Sequence, residues 1–140
     1  MLLHASCVAF QGKAVLLAGP SGVGKSDLAL RLIDAGAQLV ADDQVLLHRE
    51  ENLLHASPPL AIAGLMEIRA VGLMQMPYIM DIPVALYVEL MPLDATLPRL
   101  PEPDPVFLLD QPVQRLRLHA FAASTPAKIK AALIYRMAHD

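Results

Sequence analysis

Gly19-Pro20-Ser21-Gly22-Val23-Gly24-Lys25-Ser26 satisfies G-x-x-x-x-G-K-[ST] at every specified position. The glycines let successive backbone N–H groups turn toward phosphate oxygens, and a helix starting at Lys25 aims its positive end at the same place. In such a loop the lysine reaches the β- and γ-phosphates, and the hydroxyl that follows it ligates Mg²⁺. The flanks agree with this reading. Ala14-Val15-Leu16-Leu17-Ala18 reads as a buried strand. Leu28, Ala29, Leu32 and Ile33 share one face of a helix from about Lys25 to Ala35, with Asp27, Arg31 and Asp34 outside. Gly36 stands where the helix cap is expected. A glycine-rich turn that only caps a helix needs no such complete set, so the stretch predicts a nucleoside triphosphate with Mg²⁺.

Working outward, residues 2–10 read as a strand joined to the first by a turn at Gln11-Gly12-Lys13. Downstream, Leu39-Val40-Ala41 is a short strand ending at Asp42-Asp43, and Val45–His48 is another. Strand, loop, helix, strand is the unit from which parallel α/β sheets are built. Met66-Glu67-Ile68-Arg69-Ala70 alternates with period 2, which predicts Glu67 and Arg69 on one strand face. A further apolar strand spans roughly 84–90. Half of the 12 prolines fall between Pro92 and Pro112, together with Asp94, Glu102, Asp104 and Asp110. That stretch predicts a long loop interrupted by a short strand, Val106–Leu109, and a loop of that length is usually functional or disordered. Thr125 as cap and Pro126 at the first turn predict a last helix, with Ile129, Ala132, Leu133 and Met137 on one face. No repeat or boundary divides the chain, so residues 1–140 are expected to form one α/β domain.

Composition excludes several classes. The 140 residues are 55% hydrophobic and 18% charged, which rules out a disordered chain. A net charge of −3 argues against nucleic-acid binding, which shows a basic face. No apolar run reaches the ~18–20 residues of a membrane span, and the first residues lack the basic start of a secretory signal. One cysteine, Cys7, builds no disulfide framework, so a cytoplasmic setting is expected. So short and apolar a chain has little polar material to cover its surface, which predicts a homo-oligomer.

Phosphoryl transfer needs a held metal, a base for the nucleophile and cations for the developing charge. Asp42-Asp43 stands at the ligand-binding edge of a parallel sheet. One carboxylate would hold Mg²⁺ or its water and the other take a proton; the competing reading is an acidic turn. Glu67 and Arg69 read either as a metal ligand and a phosphate clamp or as a surface ion pair. Residue types alone assign no role to His4, Arg99, Arg115 and Arg117. His48, His55, His119 and His139 show no metal-ligand spacing, and Asp27 is expected to favour the first helical turn.

The ordered set Gly19–Asp27, Leu39-Val40-Ala41-Asp42-Asp43 and Met66-Glu67-Ile68-Arg69-Ala70-Val71-Gly72-Leu73 resembles the catalytic domain of HPr kinase/phosphorylase. The resemblance implies a P-loop-containing nucleotide-binding domain of the HPr kinase / phosphoenolpyruvate carboxykinase-like type, with a mixed β-sheet. The chain is similar to the short form of that family, which has no N-terminal domain. The implied activity is transfer of phosphate from ATP, with Mg²⁺, to a seryl hydroxyl of the phosphocarrier HPr, and in reverse its phosphorolysis. It further implies a hexameric assembly. By the same resemblance Lys25 is the phosphate-loop lysine, Asp43 the acid/base carboxylate with Asp42 beside it, and Ser26 and Glu67 the Mg²⁺ positions. His4, Arg69 and Arg99 match further catalytic positions. Two departures stand out. Ala70 replaces the glycine that follows the signature arginine, and Pro112-Val113-Gln114-Arg115-Leu116-Arg117 replaces the P-V-R-P-G-R segment tied to the reverse reaction. Leu116-Arg117-Leu118 reads as strand instead. The other readings are a P-loop kinase of a small metabolite and a nucleotide-sensing module without catalysis.

Overall fold

The computed structural model describes residues 1–138. The chain forms β1 (Leu2–Leu3), β2 (Ser6–Phe10) and β3 (Lys13–Ala18), then α1 (Lys25–Asp34) and β4 (Gln38–Ala41). The hairpin of β5 (Val45–Glu50) and β6 (Leu53–Ser57) follows, then that of β7 (Leu65–Ile68) and β8 (Gly72–Gln75). The long β9 (Ile82–Met91) precedes β10 (Val106–Leu108), β11 (Gln111–Val113), β12 (Arg115–His119) and α2 (Thr125–Ile134). The fold is α/β, and its main sheet is mixed.

That sheet runs β1-β5-β6-β9-β3-β2-β4, with β12 also paired to β9. β3 and β4 are parallel, as a strand–helix–strand unit requires, but they are not neighbours. β2 lies between them, antiparallel to both. β9 runs parallel to β3 and β12, while its first residues pair antiparallel with β6. The β2–β3 turn has Gln11 at φ 50° and Gly12 at φ 76°. Two successive positive φ values match the right-handed twist of the strands they join.

Period 2 along the buried strands divides the core into two layers. Val8, Val15, Leu17, Leu86, Val88 and Leu90 pack with Leu28 and Leu32 of α1 and Ile129 and Leu133 of α2. Cys7, Ala9, Ala14, Leu16 and Ala18 face the other way, against Leu47 and Leu54 of the β5–β6 hairpin and Leu108 and Val113 of β10–β11. Since a buried leucine truncated to alanine typically costs 2–5 kcal/mol, Leu16, Leu28 and Leu32, each 0% exposed, hold the sheet edge that carries the phosphate loop.

The C-terminus of α1 closes as its glycine predicts. Gly36 has φ 111°, its N–H donates to Ile33 O at 3.0 Å and that of Ala37 to Leu32 O at 3.0 Å. Together these satisfy two carbonyls the helix cannot pair itself. Several sequence expectations need correction. Residues 2–10 are two strands, because β1 pairs with β5 whereas β2 pairs with β3 and β4. The strand carrying Glu67 ends at Ile68, and Arg69 lies in the turn to β8, so the two do not share a strand face. Ala70 at φ 69° turns the chain there. The predicted 92–112 loop contains β10 and the start of β11, which pair with each other. Helix α2 stops at Ile134, with Tyr135 extended, so Met137 lies beyond it. Its cap is Ser124, while Thr125 is the first helical residue and donates its hydroxyl to His119 O at 2.5 Å.

Candidate phosphate-binding and transfer site

β3 delivers the chain into the phosphate loop and α1 carries it away. Gly24 sits at the N-terminus of α1 with φ 106°, and no side chain caps the helix. A Cβ on Gly24 would lie 2.7 Å from the Phe121 ring and 3.0 Å from Ala120 Cβ, so both φ and space demand glycine. Lys25 is 8% exposed and donates from Nζ to Gly19 O at 2.6 Å and Pro20 O at 3.3 Å. The lysine therefore folds back over the loop it serves. Arg31 pairs with Asp27 one turn earlier at 3.0 Å and lies over the Phe121 ring.

Antiparallel pairing of β2 with β4 sets the start of β2 beside the end of β4. Ser6 opens β2 and Asp42 directly follows β4. The Asp42 carboxylate, 8% exposed, accepts the Ser26 hydroxyl at 2.7 Å and the Ser6 hydroxyl at 2.8 Å, both on Oδ1. Its neighbour Asp43 turns outward with φ 70°. The Asp43 Oδ1 lies 3.6 Å from His4 Nε2, and both side chains are open to solvent, at 67% and 57%. Two adjacent carboxylates thus have different surroundings. Asp42 is locked to the serine of the phosphate loop, and Asp43 faces outward with a histidine at its side.

Of the residues picked from sequence, the fold brings together Lys25 and Ser26 with Asp42, and His4 with Asp43. Glu67 is exposed on the β7–β8 hairpin, and neither it nor Arg69 makes a side-chain hydrogen bond or ion pair among the described residues. Arg99 lies on the proline-rich segment, also without such a partner among the described residues. Arg115 and Arg117 are engaged elsewhere. Arg115 Nη2 is 3.1 Å from Asp104 Oδ1 and Arg117 Nη1 is 2.5 Å from Asp104 Oδ2. Both also lie 3.6 Å from the Glu89 carboxylate. These guanidiniums hold the Asp104 carboxyl below the usual carboxylate range.

Sequence reasoning missed three parts of the site. Ser6 shares Asp42 with Ser26 only because of the β2–β4 pairing. A cleft of about 300 Å³ beside the loop is lined by Ser21, Val23, Met91, Pro92, Leu93 and Phe121 among others. Glu89 is level with Ala18 across the β3–β9 pair, one strand from the loop. A strand on each side of the motif was legible, but the neighbour order that makes these contacts was not.

The donor set suits magnesium. A serine hydroxyl and a carboxylate are hard oxygen ligands, and Mg²⁺ is commonly held by one or two carboxylates plus substrate phosphates. The uncapped helix start beside them suits phosphate.

A family model described as HPr Serine kinase C-terminal domain matches residues 1–84. The HPr kinase/phosphorylase of Clostridium tetani is 41% identical over 75 residues, which are 54% of this chain and 25% of that protein. That of Listeria welshimeri is 46% identical over 72 residues, 51% of this chain and 23% of that protein. These alignments span about a quarter of the curated relatives' length. A solved structure, the Hpr(Ser) kinase/phosphatase from Coxiella burnetii, superposes with a TM-score of 0.82 at 28% identity, covering 95% of this chain and 88% of that one. The phosphate loop, Asp42-Asp43 and Glu67 all fall inside the matched residues 1–84, whereas Arg99, Arg115 and Arg117 follow them. The chain belongs to the HPr serine kinase C-terminal domain family.

Proposed function

We propose that this chain is an ATP- and Mg²⁺-dependent protein serine kinase that phosphorylates the phosphocarrier HPr. The observation that carries the reading is the split between Asp42 and Asp43. Asp42 is tied to the phosphate-loop serine, while Asp43 is exposed next to His4, where a hydroxyl on another protein can reach it. A metabolite kinase would instead enclose its acceptor in a pocket of convergent polar groups. The 300 Å³ cleft at the loop is lined mainly by apolar residues, which suits the base of a nucleotide better than a small polar acceptor.

Serine is a weak nucleophile at neutral pH, so its proton must go to a base as the new O–P bond forms. Asp43 takes that proton while the γ-phosphoryl group passes from ATP to the seryl oxygen and ADP leaves. His4 orients the Asp43 carboxylate. Lys25, Arg69 and Arg99 offset charge on the transferring group. Ser26, with the Asp42 carboxylate bonded to it, and Glu67 are the proposed metal positions, and Mg²⁺ held by them would neutralise phosphate charge. In reverse, inorganic phosphate attacks the phosphorus of the phosphoserine, the seryl O–P bond breaks to release pyrophosphate, and protonated Asp43 returns its proton to the seryl oxygen. That direction draws on Arg115 and Arg117, which must first loosen from Asp104. A cytoplasmic setting follows from these substrates, and no helix among the described residues is long and apolar enough to cross a membrane.

The test is purified chain with HPr and Mg·ATP, read by intact mass, with excess phosphate added afterwards. One phosphate on an HPr serine is expected. Asp43→Asn should lower the transfer rate by about 10²–10⁴-fold, the usual worth of a general base, with nucleotide affinity nearly unchanged. ATP binding without transfer to HPr would overturn the reading.

A further inference from the structure

The four residues His48, Glu50, His55 and Asp81 converge at the end of the main sheet away from the phosphate loop. The convergence follows from register. His48 and His55 are directly opposed across the β5–β6 hairpin, and Glu50 is two residues from His48 on the same strand. Asp81 immediately precedes β9, whose Pro83 pairs with His55. The phosphate loop leaves from the far end of the same sheet, since Ala14 is level with Val84 and Ala18 with Glu89. The linear spacing of the histidines hid this. It offers no ligand pattern, yet strand pairing sets His48 against His55. His119 instead contacts Ala95 O at 2.8 Å, and His139 lies outside the described residues.

We propose that His48, Glu50, His55 and Asp81 form a structural zinc site that ties the β5–β6 hairpin to the start of β9. One ligand atom from each of the four lies within 4.8 Å of the others. The His48 Nε2 is 3.2 Å from both Glu50 Oε1 and Asp81 Oδ1. The His55 Nδ1 is 2.9 Å from Asp81 Oδ1 and 4.0 Å from Glu50 Oε2. Zinc bonded to nitrogen and carboxylate oxygen at ~2.0–2.2 Å in a tetrahedron needs its ligand atoms roughly 3.3–3.5 Å apart. The cluster brackets that spacing, so small side-chain movements complete the coordination. Two imidazoles with two carboxylates select zinc over the hard cations Mg²⁺ and Ca²⁺, which take all-oxygen sets. Four protein ligands leave no open position, the mark of a structural site rather than a catalytic one.

The surroundings hold the ligands in place. The Asp81 N–H donates to Ser57 Oγ at 2.8 Å, fixing a residue whose φ is 59°. The His55 side chain is only 13% exposed, so its ring has little freedom. A metal here would clamp the tip of the hairpin whose Leu47 and Leu54 cover the second core layer.

The experiment uses the full chain stripped of metal by chelation. Zinc is titrated against a chromophoric chelator, with excess Mg²⁺ to occupy the phosphate-loop site. One zinc per chain with sub-micromolar affinity is expected, together with a rise in melting temperature. Outer-shell partners of a metal usually cost 10–100-fold in affinity, so removing a ligand in His48→Ala or His55→Ala should cost about 100-fold or more and abolish the thermal shift. Asp43→Asn, remote from the cluster, should retain the zinc. Cobalt in place of zinc should give the intense visible band of tetrahedral coordination. If His55→Ala fails to fold, the half-exposed His48→Ala carries the test alone. Failure to retain zinc at micromolar concentration would overturn the proposal, as would retention unchanged by loss of His48.

Discussion

Ala70 occupies a left-handed turn position, φ 69°, between β7 and β8, where the family resemblance expects glycine. An L-residue there costs about 1–2 kcal/mol, partly offset because glycine loses more freedom on folding. Ala70→Gly should therefore stabilise the chain by about 1 kcal/mol, read as a shift in the denaturant midpoint with an unchanged slope. Asp42 and Asp43 teach a related lesson. Both are aspartates in one dipeptide, yet one accepts two hydroxyl hydrogen bonds in a nearly closed site and the other faces solvent beside His4. Nothing in the dipeptide says which is which. The difference arises because the left-handed turn at Asp43 sends the second side chain away from the first.

At the scale of elements, the proline-rich segment is tethered rather than free. Asp104 bonds to both Arg115 and Arg117 of β12, and Glu89 of β9 approaches the same two guanidiniums. Because the folded carboxyl of Asp104 titrates below its unfolded range, the tether contributes stability that is fully present above about pH 4 and is lost as pH falls through the lowered folded value. A carboxyl-carbon NMR titration should place the Asp104 midpoint below ~3.9. Asp104→Asn at neutral pH should speed amide exchange across residues 99–105 while leaving β3 protected. The elements themselves were unevenly legible. The strand, loop and helix around Gly19–Ser26 announced themselves because motif, periodicity and a capping glycine all agreed. β6, β8 and β11 did not, because short strands get their stability from neighbours found only after the chain has folded.

Over the whole molecule, several large apolar side chains stay outside the two core layers. Val71 and Leu73 in the β7–β8 region are 68% and 67% exposed, and Phe107 on β10 is 66% exposed. Such a surplus predicts self-association. Sedimentation should show an oligomer, and replacing Val71 and Leu73 together by serine should shift it toward monomer with the far-ultraviolet spectrum unchanged. The amino-acid order by itself determined the glycine-rich loop at Gly19–Ser26, the helix behind it, the α/β class and the family. Those features rest on local chemistry: backbone freedom at glycines, one amphipathic period, one capping position. Tertiary structure alone decided that β2 inserts between β3 and β4, and hence that Ser6 and Ser26 meet on Asp42. It also decided that His48 faces His55 and that Arg115 and Arg117 are held by Asp104. Each of these contacts joins residues far apart in the chain, and their meeting is set by strand order and register. Burial of both faces of one sheet selects that arrangement, and no local pattern encodes it.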